Sequence, residues 1–148
     1  MIAIFISILY YVWVNHYRLV ISATPSVPGL VFLICLHDEY HEYQVDDLIY
    51  FKPPRSANSN LKFIKFIRGR AGDKLSISND HFYINGVDQG QILKTGTSNR
   101  VLTPNTQQEI PSFHFAVIGT HPRSFDSRYK EIGLINRIDI LGSAHKLF

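Results

Sequence analysis

The chain has 148 residues, 45% hydrophobic and 18% charged, with a formal net charge of +3 and one cysteine. That length fits a single domain, and about 130 residues remain for a core once an apolar N-terminal run is set aside. Lys and Arg are scattered rather than grouped in a stripe, which argues against nucleic acid as a partner, and a lone Cys35 rules out an internal disulfide framework.

Residues 1–14, MIAIFISILYYVWV, carry no charged side chain. As a helix they would reach about 21 Å at ~1.5 Å per residue, short of a ~30 Å hydrocarbon core. No Lys or Arg precedes the run, which argues against a cleavable signal peptide, and Tyr10, Tyr11, Trp13 and Tyr17 suit an interfacial belt. The expectation is an uncleaved, lipid-contacting anchor over residues 1–16 and one body over 17–148. Arg18 follows the apolar run, so the positive-inside rule mildly favours a cytoplasmic body.

From Tyr17 onward the pattern is β. YRLVISA, GLVFLICL, DLIYF, LKFIKFI, KLSI, FYI, FAVIG and LINRIDIL are short runs of β-branched and aromatic residues between Pro, Gly, Asn and Asp clusters. Cys35, within LVFLICL, reads as a small buried hydrophobe. FYINGVD places Asn85-Gly86 between β-prone residues and predicts a hairpin with a type I′ turn. PPRSANSN (53–60) and KTGTSNRVLTPNTQQ (94–108) read as loops. The predicted fold is mainly β, an antiparallel barrel-like or sandwich-like domain behind one N-terminal transmembrane helix.

Two residues in this pattern invite chemistry. In ATPSVPG, Pro25 and Pro28 restrain the backbone around Ser26; this suits an ordinary turn, and equally a serine that must hold its hydroxyl in one place. In LKFIKFIR, alternation groups Lys65 with Leu61, Phe63 and Ile67. An edge strand could let that lysine snorkel to water. Alternatively its amine is desolvated, and a lysine whose pKa falls from ~10.4 towards neutrality can take a proton from serine without a histidine. Ser26 and Lys65 stand 39 positions apart, so sequence alone does not join them.

ATPSVPG, VDDLIYFKPP, KFIRGRAGD and GTHPRSFDSRY, in this order, resemble the successive sequence boxes of the type I signal peptidases over about residues 1–130. The form is most similar to the conjugal-transfer (TraF-type) branch, whose first box resembles T-x-S-x-P-x-G. The resemblance implies a signal-peptidase catalytic core with Ser26 as nucleophile and Lys65 as general base, and an oxyanion hole from the Thr24 hydroxyl and the Ser26 N–H. It also implies that Ser124 orients the lysine amine and that Asp126 and Arg128 form a supporting charge pair. By the same analogy Val20, Ser22 and Ile64 would wall a shallow substrate cleft. Two positions depart from the pattern: Asp46 stands where glycine is usual before the aspartate, and Ala71 where proline is usual.

Rival constellations are weaker. His37, Glu39 and His41 of HDEYHE could ligate a metal, but a metalloprotease H-E-x-x-H needs glutamate directly after the first histidine, where Asp38 stands. Ser59 to Lys62 and Ser143 to Lys146 both fit S-x-x-K, without the helix start or the companion motifs that pattern requires. Seven histidines allow a Ser-His-Asp triad by count, but no G-x-S-x-G elbow supports one.

The resulting expectation is a membrane-bound serine endopeptidase of the outer face of the cytoplasmic membrane, cleaving a signal-peptide or pilin-type precursor through an acyl-enzyme, with no cofactor. The outer-face placement follows the resemblance against the charge cue at Arg18. Two other classes stand beside it: a self-cleaving repressor of the LexA kind, which would carry a helix-turn-helix where the apolar run lies, and a non-catalytic membrane-tethered β module of a secretion or conjugation apparatus.

Overall fold

A computed structural model describes residues 2–36, 41–54, 61–96 and 99–148. The apolar run forms α1 (Ile2–His16), and Tyr17 passes directly into strand β1 (Tyr17–Ile21). The helix is 15 residues long, and no helix among the described residues is long and apolar enough to cross a membrane. Ile2, Ile4, Ile6, Tyr10, Tyr11, Val12 and Trp13 are all exposed along it.

The body is two antiparallel sheets. The larger has seven strands in the order β1-β2-β10-β3-β4-β8-β9, with β2 at Val31–Leu36, β3 at Leu48–Phe51, β4 at Phe63–Gly69, β8 at His114–Ile118, β9 at Ile135–Asn136 and β10 at Ile140–Lys146. The smaller has three, β5 (Leu75–Ser78), β6 (His81–Ile84) and β7 (Val87–Gln91). The barrel-like alternative is corrected here, because the larger sheet does not close among the described residues. Its last strand, β9, is two residues long and passes into a 3-10 turn at Arg137–Asp139, leaving too short a ladder to meet β1.

The alternation of LKFIKFI is what makes β4 central. Ile67 packs with Ile49, Phe51, Val117 and Ile135 on one face, with Phe63 against them; Ile64 packs with Val27, Phe32, Ile34 and Ala144 on the other. Both faces of the strand are therefore covered, and each fully buried Ile or Phe contributes roughly 1.5–3 kcal/mol. A third cluster ties the two sheets together, with Leu75, Phe82 and Ile84 of the smaller sheet against Ala116 and Ile118 of β8. Gly69 ends β4 under this cluster, where a Cβ would come within 2.7 Å of Ile110.

Turn chemistry follows the sequence closely. Asn85 and Gly86 both take positive φ, 49° and 78°, between β6 and β7, the signature of the type I′ hairpin. Asp46 takes φ 75°, so the left-handed turn expected of glycine is retained by an aspartate that ion-pairs with Arg68. Loop 53–60 is described only for residues 53 and 54, whereas the described parts of the second loop, 94–96 and 99–108, are irregular chain pinned by isolated bridges such as Pro104 to Tyr129. Cys35 is half-buried in β2, opposite Tyr17 on one side and Ser143 on the other.

Candidate active site

Ser26 lies on the loop between β1 and β2, and three sets of bonds fix that loop. The Ser22 N–H donates to the Leu30 carbonyl at 2.8 Å, closing the loop at its base. The Ser22 hydroxyl donates to the Thr24 carbonyl at 2.9 Å. From outside the loop, the Thr120 N–H donates to the Ser26 carbonyl at 2.9 Å. The side chains of the T-x-S pair meet, since Thr24 Oγ1 donates to Ser26 Oγ at 3.1 Å.

Lys65 sits in the middle of β4 with 2% of its surface exposed. Its Nζ donates to Ser124 Oγ at 2.9 Å and lies 5.9 Å from the Phe63 ring centre. Burial pushes the amine down from its ordinary value to about 8; the charge of Asp126 opposes this and that of Arg128 assists it. Strand pairing explains the position, because β3 covers Lys65 through Ile49 and β8 flanks it through the Phe66 to Ile118 pair.

Ser26 and Lys65 line one cavity of about 270 Å³, together with Val20, Ser22, Thr24 and Ile64. The six residues proposed from sequence for dyad, oxyanion hole and cleft wall are thus neighbours. No direct hydrogen bond joins Ser26 to Lys65 among the described residues: the serine is held by Thr24 and the lysine by Ser124. Catalytic contacts are commonly long in an empty site and tighten around substrate.

Behind Ser124 lies a buried ion pair. Arg128 Nε and Nη2 donate to the two carboxylate oxygens of Asp126 at 2.9 and 3.0 Å. The guanidinium also reaches the carbonyls of Ser124 at 3.1 Å and Gln91 at 3.1 Å. Asp126 Oδ2 accepts from the Gly119 N–H at 3.0 Å as well. The pair therefore shapes the loop that carries Ser124, and the bond to Gln91 fastens it to the smaller sheet.

Gly119 and Thr120 were not singled out from sequence. Thr120 grips the Ser26 carbonyl, and a Cβ on Gly119 would fall 2.1 Å from Ser124 Oγ and 2.6 Å from the Ser26 carbonyl oxygen. That glycine is the point at which the serine loop and the Ser124 loop touch. The available signal was its place at the end of the apolar run FAVIG, directly before the polar stretch that carries Ser124.

Of the rival constellations, His37, Asp38 and Glu39 lie outside the described residues, as does Ser59. Among the described residues no group of histidine, cysteine and carboxylate side chains could hold a metal ion. Ser143 and Lys146 lie on strand β10, not at a helix start.

No curated protein sequence matches the chain. Among solved structures, a signal peptidase I from Enterococcus faecalis V583 is 25% identical, with 70% of this chain and 97% of that chain covered at a TM-score of 0.45. The family model for signal peptidase, peptidase S26, matches residues 1–148. The chain therefore belongs to the signal peptidase (S26) family of peptidases and is a serine hydrolase of the signal peptidase type, a class that acts on precursor proteins.

Proposed function

We propose that Ser26 and Lys65 form a catalytic dyad that cleaves precursor proteins beside an apolar segment. The observation that carries this reading is a nearly wholly buried lysine amine that shares a small cavity with a loop-fixed serine. With its pKa near 8, about a tenth of Lys65 is neutral at pH 7. The bond to Ser124 Oγ uses one amine hydrogen and so fixes where the lone pair points.

Ser26 Oγ attacks the scissile carbonyl while Lys65 takes its proton, and Lys65 then passes that proton to the leaving amine. The resulting acyl-enzyme is released by water activated at the same amine. The Ser26 N–H and the Thr24 hydroxyl stabilise the tetrahedral oxyanion; Thr24 must first turn from Ser26 Oγ towards it. Val20, Ser22 and Ile64 wall the cavity on the acyl side, which fits small apolar residues before the cleavage point.

The exposed apolar side chains of α1 support a membrane anchor over residues 1–16, with the β body of residues 17–148 on the outer face of the cytoplasmic membrane. The finer placement in the conjugal-transfer branch rests on the ATPSVPG box. There the acyl group could pass to an amine and cyclise a pilin subunit instead of being hydrolysed.

Precursor processing by Ser26→Ala and Lys65→Ala variants tests the dyad. Both should lose cleavage while remaining folded; normal cleavage by either removes that residue from the mechanism.

A further inference from the structure

The segment 61–70, with β4 at its centre, changes character along its length at Lys65. Before the lysine, Leu61, Phe63 and Ile64 line the apolar cavity that holds Ser26. Beyond it, Arg68 and Arg70 line an open groove of mixed polar and apolar character between the turn at Asp46 and the β6–β7 hairpin, walled also by Val45, Ile84 and Val87. A second hollow shares Arg68 and Gln89 with this groove and ends at Gly119 and Thr120, the residues against the Ser26 loop. These two hollows, of about 530 and 380 Å³, share no lining residue with the apolar cavity, and the second reaches the Ser26 loop through Gly119 and Thr120.

The charges in this groove are not equivalent. Asp46 is committed to Arg68. The Asp73 carboxylate accepts from the Arg70 N–H and the Asn85 side-chain amide, each at a normal distance, 2.7 and 2.8 Å. Asp88 accepts from the Gly90 N–H and pairs with His81. The Arg70 guanidinium is exposed and has no hydrogen bond or ion pair among the described residues. It stands five positions past Lys65, one past the end of β4 and beyond the register shift between Ile67 and Gly69, so it lies at most roughly 16 Å along the chain, within the span of five extended substrate residues.

We propose that this groove receives the polypeptide that follows the scissile bond, and that Arg70 favours an acidic residue at its third to fifth position. The proposal rests on the assignment of Ser26 and Lys65 above. An apolar segment then lies in the cavity before Lys65 and the chain carrying the acidic residue in the groove after it, and the open groove lets the leaving chain depart once the acyl-enzyme forms.

The test uses the full chain in detergent and peptides with one fixed apolar half, carrying aspartate, asparagine or lysine at positions three to five after the bond. Wild type should prefer the aspartate peptide to the asparagine one by about fivefold in kcat/KM, a surface-pair effect that fades in high salt. Arg70→Glu should invert the order towards lysine, and Arg70→Lys should restore it. In parallel, labelled peptides containing only the segment after the bond are titrated against Ser26→Ala by fluorescence anisotropy. The aspartate peptide should bind more tightly, and Arg70→Glu in the same background should abolish that preference. A charge order unchanged by Arg70→Glu, or equal or undetectable binding across the series, overturns the proposal. Cleavage retained by Ser26→Ala would overturn the nucleophile assignment instead, and the charge order would remain readable.

Discussion

Lys65 and Arg128 are both cations withdrawn from water, 2% and 1% exposed, on either side of Ser124, and the fold treats them in opposite ways. Arg128 is met by both oxygens of Asp126 and by backbone carbonyls. Burial alone would lower its pKa, but the hydrogen bonds and charge of Asp126 more than offset that, and the pKa lies above its ordinary value. Lys65 is given a single hydroxyl, and its pKa falls to about 8. The same withdrawal from solvent leaves a proton firmly held where the charge is compensated and loosens it where it is not. The two regions also act on each other, since Asp126 favours the charged lysine and Arg128 counters it.

The sharpest way to separate the two cations is to remove each charge while keeping bulk. Lys65→Met should lower kcat for precursor cleavage by about 10⁴-fold or more, the scale of losing one member of a catalytic unit, with no further loss when Ser26→Ala is added. Its melting temperature should not fall, because an incompletely compensated amine has been replaced by an apolar chain of similar size. Arg128→Met should do the reverse in kind. It leaves Asp126 buried without its partner and should cost about 3–5 kcal/mol in denaturant unfolding.

Thr24→Val removes one oxyanion donor and should lower kcat by roughly 10²–10³-fold with little change in KM, measured on one precursor peptide. A fall confined to KM would place Thr24 in substrate binding rather than on the oxyanion.

The pH dependence gives the next effect. In the folded chain Lys65 loses its proton near pH 8, whereas the unfolded chain holds it to ~10.4, so unfolded chains bind more protons between these values. Stability should rise with pH across that window by roughly 3 kcal/mol; the full penalty applies below it. The kcat/KM profile should rise through the same lower limit, about pH 8. Urea unfolding from pH 7 to 10.5 checks the sign, and the Lys65→Met variant should lack the rise.

The smallest change addresses the contact between the two loops. Gly119→Ala should lower activity and cost about 1–3 kcal/mol of stability, because the added methyl meets the buried Ser124 hydroxyl and the Ser26 carbonyl and forces the two loops apart. Retention of full activity would show that the two loops can move apart freely.

Strands that alternate or run apolar were legible in the sequence, and β4 most of all, because the pattern that buries Ile64 and Ile67 on opposite faces also encloses Lys65. Polar strands were not. VDQGQ becomes β7 through its hairpin turn, and the GSAHK part of β10 carries almost no hydrophobic signal. That strand pairs on both sides, and Gly142 serves there because a Cβ would come 2.1 Å from the Cys35 carbonyl. LINRIDIL, which reads as one strand, is broken by a 3-10 turn capped by Asn136, whose side chain accepts the Ile138 N–H. At the site, the order of the boxes pointed to Ser26, Lys65 and Ser124. The grip of Thr120 on the Ser26 carbonyl is made chiefly by its backbone N–H at 2.9 Å, with the hydroxyl a longer second donor at 3.5 Å, so residue type gives little sign of it.

The position of β10 has a consequence for how activity arises. The nucleophile loop hangs from β1 and β2, and Lys65 belongs to the β3–β4 pair; β10 is the strand that joins the two. Residues 140–146 are synthesised after everything they connect, so a nascent chain on the ribosome can hold both reactive groups without the sheet that sets them side by side. The two halves of the dyad should therefore reach their final spacing only once this strand has inserted between β2 and β3.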